Sequence, residues 1–159
     1  MKIIIMRHGD SVKDLDNDQT RSLTQCGIRE SQQIAHWLKK NNVYIEYALS
    51  SPYKRAIQTL SNISNILIFN HQIILPELKP NGNPLIVFQY LKKMFNDGIE
   101  SVLLISHLPF ICNLINVIFP KKTLSTFTPA SIICVKTFLF TKKSEILWSF
   151  SSNGIIKLV

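Results

Sequence analysis

Residues 2–6 end in Ile3-Ile4-Ile5-Met6, an apolar run rich in β-branched side chains that closes on Arg7. A strand of this kind shows no polar alternation and is therefore buried on both faces. A second such run occupies 101–106. Strands covered on both faces require helices above and below the sheet. The intervening sequence supplies them. A helical stretch follows Leu23-Thr24 and Gly27 to about Asn41, with Ile28, Ala35 and Leu38 near one face. After a strand over 45–50, Ser51-Pro52 signals a helix start with serine as cap, and Ile57, Leu60, Ile63 and Leu67 recur at helical spacing. Ile73 to Leu75 reads as a short strand and Pro80 to Pro84 as a loop. Leu85, Phe88, Leu91 and Phe95 repeat until Asp97-Gly98. Pro109 opens a helix through about Phe119, and a hairpin or meander ends the chain, with Ile146, Trp148 and Phe150 alternating after a polar turn at Thr141–Ser144. The order predicts an α/β fold with helices on both faces of its sheet.

The chain has 159 residues, 46% hydrophobic and 18% charged, with no repeat or linker, which suits a single domain over 1–159. Its three cysteines, at 26, 112 and 134, are odd in number and lack zinc-knuckle spacing. They fit a reducing compartment better than a disulfide framework, and the opening apolar run is too short for a secretory signal. The expected location is cytoplasmic. Residues 102–119 are apolar enough to suggest a membrane span, but His107, Pro109, Asn113 and Asn116 interrupt them. Strand, turn and buried helix explain the stretch better, so no membrane is expected. Net charge is +8, yet the lysines fall in scattered pairs without interleaved aromatics. That pattern argues against nucleic acid and for an anionic substrate.

In a sheet of this class, function gathers at the carboxyl ends of the strands. Arg7-His8-Gly9 ends the first strand, Arg55 lies one turn into the helix after the second, and Ser106-His107 ends the fourth. Arginine stays protonated at any working pH and grips phosphate oxygens in a bidentate fashion. His107 stands near a helix start, where free N–H groups favour a phosphate. Together these residues would form an anion trap.

Those residues, with Arg21-Ser22-Leu23-Thr24, Gly27, Ser51-Pro52, Ala56 and Thr59, resemble the histidine phosphatase (phosphoglycerate mutase-like) superfamily. Met6-Arg7-His8-Gly9-Asp10, Leu75-Pro76-Glu77-Leu78 and Ile105-Ser106-His107-Leu108-Pro109 look closer still to the SixA-type phosphohistidine phosphatases. The resemblance covers nearly the whole chain and weakens after about residue 125. It implies a three-layer α/β/α sandwich with a mostly parallel central sheet. It also implies that His8 attacks phosphorus to give a phosphohistidine intermediate, with Arg7, Arg55 and His107 binding the phosphoryl oxygens. No metal or other cofactor is implied. Gly9 would let the backbone approach the substrate closely. Arg21 would line the groove or pair with Asp10, Asp14, Asp16 or Asp18.

Glu77 is the candidate general acid, since superfamily members acting on phosphate esters usually employ a carboxylic acid. SixA-type enzymes depend on one less, because their leaving group is an imidazole. Imidazole is less basic than a hydroxide-like oxygen by roughly nine pKa units, up to about 12 kcal/mol of leaving-group free energy. The family's glycine after the second histidine is replaced by Leu108-Pro109, and the long insertions that cap the pocket in larger members are missing. The expected partner is therefore a phosphorylated histidine-containing protein domain, such as the phosphotransfer domain of a sensor kinase, met by a monomer. A small-molecule phosphomonoesterase using Glu77 is the alternative, and a catalytically idle anion-binding adaptor is the third. His36 and His71 read as structural or solvated, and Ser51 and Ser106 as cap or strand-end residues rather than nucleophiles, since no Gly-x-Ser-x-Gly surrounds either.

Overall fold

The computed structural model of the chain describes residues 1–13, 16–120, 127–138 and 143–151. Its sheet holds β1 (Lys2–Arg7), β2 (Tyr47–Ser50), β3 (His71–Ile74), β4 (Ser101–Ser106), β5 (Ile132–Phe138) and β6 (Lys143–Phe150). The spatial order is β3-β2-β4-β1-β5-β6. The first four strands pair in parallel, whereas β5 is antiparallel to β1 and β6 to β5. The α-helices among the described residues are α1 (Gln25–Lys40), α2 (Lys54–Ser64), α3 (Pro84–Asn96) and α4 (Phe110–Ile118).

The two apolar runs explain the layering. Residues 3–6 and 101–106 are all buried, and their alternate side chains serve opposite faces. Ile3, Ile5, Val102 and Leu104 pack with Val87 and Leu91 of α3 and Leu114 of α4. Ile4, Met6, Leu103 and Ile105 pack with Ile34 and Leu38 of α1 and Leu60 and Ile63 of α2. The result is the three-layer α/β/α sandwich. The stretch 102–119 that resembled a membrane span divides into β4 and α4, and no helix among the described residues is long and apolar enough to cross a membrane.

This winding also makes the crevice. The chain moves through α1 and α2 toward the β3 edge and returns through α3 and α4. The right-handed crossover rule then puts α1 and α2 on one face and α3 on the other, where α4 joins it by packing. β1 and β4 are neighbours, but the helices that follow them cover different faces. A cleft opens at such a switch point. Arg7 and Ser106 are register partners there, so His8 and His107 leave the sheet side by side.

Local details depart from the sequence pattern where apolar residues are consecutive. In α3 the buried stripe is Val87, Leu91 and Met94, whereas Leu85 is 57% exposed. In α2 Arg55, Ala56, Thr59, Leu60 and Ile63 are buried, and Ile57 is exposed. Ser51 does not cap α2, whose N-cap is Tyr53, and Pro109 is the N-cap of α4. A bulge between Cys134 and Val135 breaks the alternation of β6, leaving Ile146 and Leu147 both exposed while Trp148 and Phe150 pack on Trp37. Within the expected turn, 141 and 142 lie outside the described residues, and Lys143 and Ser144 belong to β6.

Two glycines let the loop after β1 press against α1. A Cβ on Gly27 would stand 2.0 Å from the Asp10 carbonyl oxygen, and one on Gly9 would stand 2.5 Å from the Gly27 carbonyl oxygen. Gly27→Ala is expected to lower stability by about 3 kcal/mol through overpacking against backbone. Urea unfolding of the variant checks this, and a change below about 0.5 kcal/mol would contradict the close approach.

Candidate active site

The groove at the β1/β4 switch point has a volume of about 310 Å³ and is lined by Arg7, His8, Arg21, Arg55 and His107, together with Asp10, Ser11, Lys13 and Asp18. Pro80, Leu108 and Pro129 form its remaining walls. Five of the sequence-predicted site residues therefore meet, although positions 7 and 107 are far apart in the chain.

His8 is held at both nitrogens. It is 5% exposed, and its Nδ1 lies 2.7 Å from the Gly9 carbonyl oxygen. A carbonyl only accepts, so Nδ1 carries the proton and Nε2 the lone pair. Arg55 Nε donates to that Nε2 at 3.1 Å. Backbone bonds pin the residue as well: His8 N–H donates to Ser106 O, and Ala130 N–H donates to His8 O, each at 3.0 Å.

Arg55 is 2% exposed, and its outer edge is taken by Asp18. Nη2 donates to Asp18 Oδ2 at 3.1 Å, and Nη1 to the Asp18 carbonyl. Asp18 Oδ1 also lies 2.8 Å from Arg21 Nε, an ion pair outside hydrogen-bonding geometry, since that buried Nε has no hydrogen-bond partner among the described residues. Arg21 thus both lines the groove and pairs with Asp18, and its Nη1 donates to Val12 O at 3.2 Å. Arg7 Nη1 donates to Phe127 O at 2.8 Å, while its buried Nε has no partner among the described residues. Burial and the neighbouring Arg55 lower the Arg7 pKa from its ordinary value. Unsatisfied cationic donors in a polar groove are what an anionic ligand would complete.

The loop itself is strapped to α1. Thr24 accepts the Gly27 N–H as the helix N-cap and donates to Asp10 Oδ2 at 2.7 Å. Asp10 N–H donates to Glu30 Oε2 at 3.0 Å, and Gly9 N–H to Thr59 Oγ1 at 3.1 Å. Gly9 consequently sits in a packed joint with Gly27 and Thr59, and it is not among the groove-lining residues. Glu77 is not brought to the groove either. It lies in a turn before α3, where its Oε2 accepts the Asn83 N–H at 3.4 Å and Gly82 packs against its carbonyl oxygen. Among the described residues, the carboxylates that line the groove are Asp10 and Asp18, which the sequence named as pairing partners. Ser51 is a further participant: its Oγ lies 2.7 Å from His107 Nε2.

Burial sets the charge of the two histidines. Desolvation lowers His8 to about 3, helped by Arg55, Arg7 and Arg21 and opposed by the Gly9 hydrogen bond. Desolvation lowers His107 to about 2, with His8 and the same arginines adding to the effect. Both rings are neutral at pH 7. In the unfolded chain each returns to about 6.5, so between the folded values and 6.5 the unfolded state binds the extra protons. Stability is therefore full above about pH 6.5 and falls as the pH drops, by about 2 kcal/mol per ring at pH 5. Urea unfolding at pH 7 and pH 5 tests this against a His8→Asn, His107→Asn double variant, whose stability should lose this part of the pH dependence. An identical loss in both proteins would contradict it.

A family model described as histidine phosphatase superfamily (branch 1) matches residues 3–79. The phosphohistidine phosphatase SixA of Escherichia coli (strain K12) is 42% identical over 136 residues, covering 85% of this chain and 84% of that protein. A phosphohistidine phosphatase SixA homolog of Haemophilus influenzae is 30% identical over 98% of this chain and 93% of its own length. The structure of the protein histidine phosphatase SixA complexed with tungstate superposes with a TM-score of 0.89 at 39% identity, over 95% of this chain and 97% of that one.

Proposed function

The chain belongs to the histidine phosphatase superfamily, among relatives of SixA, and from that premise we propose that it hydrolyses phosphohistidine carried on a protein. The observation that carries this reading is the setting of His8. Its Nδ1–H donates to the Gly9 carbonyl oxygen, and its Nε2 lone pair accepts from Arg55 Nε on a ring that lines the groove with Arg7, Arg55 and His107. A neutral, desolvated imidazole flanked by fixed cations is a nucleophile matched to a phosphoryl anion.

In the proposed reaction, the oxyanion settles among Arg7, Arg55 and His107. His8 Nε2 shifts its hydrogen bond from Arg55 to attack phosphorus in line, and the P–N bond to the substrate imidazole breaks. A phosphoimidazole protonated on its other nitrogen leaves as neutral imidazole, so the site need not supply a proton. Water then attacks phosphorus, the bond to His8 breaks, and phosphate departs. Charge on the transferring group is met throughout by guanidinium groups, the dominant contribution in phosphoryl transfer.

The placement of the carboxylates favours this substrate over a phosphate ester. Asp10 accepts from Thr24, Asp18 is engaged by Arg55 and Arg21, and Glu77 lies outside the groove. None stands as a free acid for an alkoxide. The connection from β3 to α3 spans only Leu75 to Asn83, so no long insertion roofs the groove at that point. A histidine on a folded carrier, such as the phosphotransfer domain of a sensor kinase, could enter. The proposed enzyme acts as a monomer with a single domain. The three free cysteines suit the cytoplasm.

Glu77→Gln is expected to leave turnover of a phosphohistidine-bearing transfer domain within about threefold, because the side chain has no path to the leaving group. Steady-state assays of that substrate beside a small phosphomonoester check it. Loss of about 100-fold or more, or efficient hydrolysis of sugar phosphates without turnover of the phosphoprotein, would favour the phosphomonoesterase.

A further inference from the structure

The ring of His107 is tied down at one nitrogen and open at the other. Nε2 lies 2.7 Å from Ser51 Oγ, while Nδ1 is buried without a partner among the described residues. His107 is 1% exposed and lines the groove, whereas Ser51 is fully buried behind it. Which nitrogen bears the proton follows from what Ser51 can do.

Pro52 has no N–H, so the first backbone donor after Ser51 is Tyr53, whose N–H donates to Ser51 Oγ at 3.3 Å. The hydroxyl oxygen is thereby used as an acceptor. Its own hydrogen has one acceptor within reach among the described contacts, His107 Nε2. If Ser51 donates there, Nε2 holds the lone pair, and the proton of this neutral ring resides on Nδ1. The opposite tautomer would turn the Nδ1 lone pair toward an incoming oxyanion, which is repulsive.

We propose that Ser51 is a positioning residue that holds His107 as its Nδ1–H tautomer, so that Nδ1 donates to the phosphoryl group. This rests on reading the groove as a phosphoryl site. The two facing rings, with centroids 4.9 Å apart, are then set in opposite senses by their walls. An acceptor, Gly9 O, fixes the His8 proton on Nδ1 and leaves the lone pair on Nε2, where Arg55 Nε donates to it. A donor, Ser51 Oγ–H, fixes the His107 lone pair on Nε2 and leaves its N–H for the oxyanion. One nucleophile and one donor result from two chemically identical side chains.

The test is nitrogen-15 NMR of the imidazole rings in the full-length protein at pH 7. Wild type is expected to show His107 protonated at Nδ1 and bare at Nε2. In Ser51→Ala the His107 ring should move toward the Nε2–H tautomer while the His8 signals stay in place. Turnover of a phosphohistidine-bearing protein should fall by about 100-fold, the worth of one transition-state donor. Ser51→Thr, which keeps the hydroxyl, should restore both. An Nε2–H tautomer for His107 in wild type overturns the proposal without any variant having to fold. So does a Ser51→Ala protein with unchanged tautomer and turnover. The tautomer is read without substrate, so a wild-type protein that turns over no phosphohistidine would sink the functional reading and not this assignment.

Discussion

His8→Ala is expected to lower turnover of a phosphohistidine-bearing protein by about 10⁴-fold or more, the usual cost of deleting an attacking group. The size follows from the lack of a substitute among the groove residues. The neighbouring ring, His107, has its Nε2 committed to Ser51. Cys112, half-buried outside the groove lining, has its thiol pKa raised by burial, which keeps it from acting as a thiolate. The variant should still fold, because His8 is fixed to Ser106 and Ala130 through its backbone and not its ring. Loss of the ring opens space for water at Gly9 O and Arg55 Nε. Tungstate affinity should fall by no more than about tenfold, since the cations remain. Steady-state kinetics with calorimetric tungstate binding separates the two effects. A variant retaining more than about 1% of wild-type turnover would contradict nucleophilic attack by His8.

Arg55→Lys is expected to be almost as damaging, with kcat/KM down by about 10³-fold. The guanidinium makes three directed contacts at once: Nε to His8 Nε2, and both terminal nitrogens to Asp18. An ammonium is a point donor and cannot span that fork. The loss should appear mainly in kcat, because the fork aligns His8 and meets charge that grows as phosphorus is transferred. Stability should drop by about 1–2 kcal/mol, less than for a wholly buried pair, because the Asp18 side chain is 53% exposed. Equal kcat with a raised KM would show instead that Arg55 only binds substrate.

Much of the fold and half of the site lie open in the sequence for one reason. Runs such as Ile3–Met6 and 101–106 are buried on both faces, so they announce a parallel sheet. The polar residue that ends each run must then stand at the crevice. Arg7-His8 and His107 are found that way, and Arg55 from its place one turn into the helix after the second strand. Asp18 was one of several acids near Arg21, and its grip on Arg55 depends on loop geometry that no periodicity encodes. Ser51 reads as a cap until the fold sets it against a ring 56 positions away. Glu77 follows a strand end as His8 does, but the turn closed by Gly82 and Asn83 carries its carboxylate elsewhere. In α3, four consecutive apolar residues, Leu85-Ile86-Val87-Phe88, leave the helical phase ambiguous, and the packed stripe begins at Val87.

Trapping the covalent adduct tests the central chemistry most directly. Wild-type protein mixed with a phosphorus-32-labelled phosphohistidine domain and quenched within milliseconds should carry an acid-labile, alkali-stable label. Peptide mapping should place it on His8, and phosphorus–nitrogen NMR should place it at Nε2. Label absent during active turnover, or carried by His107, would contradict the account.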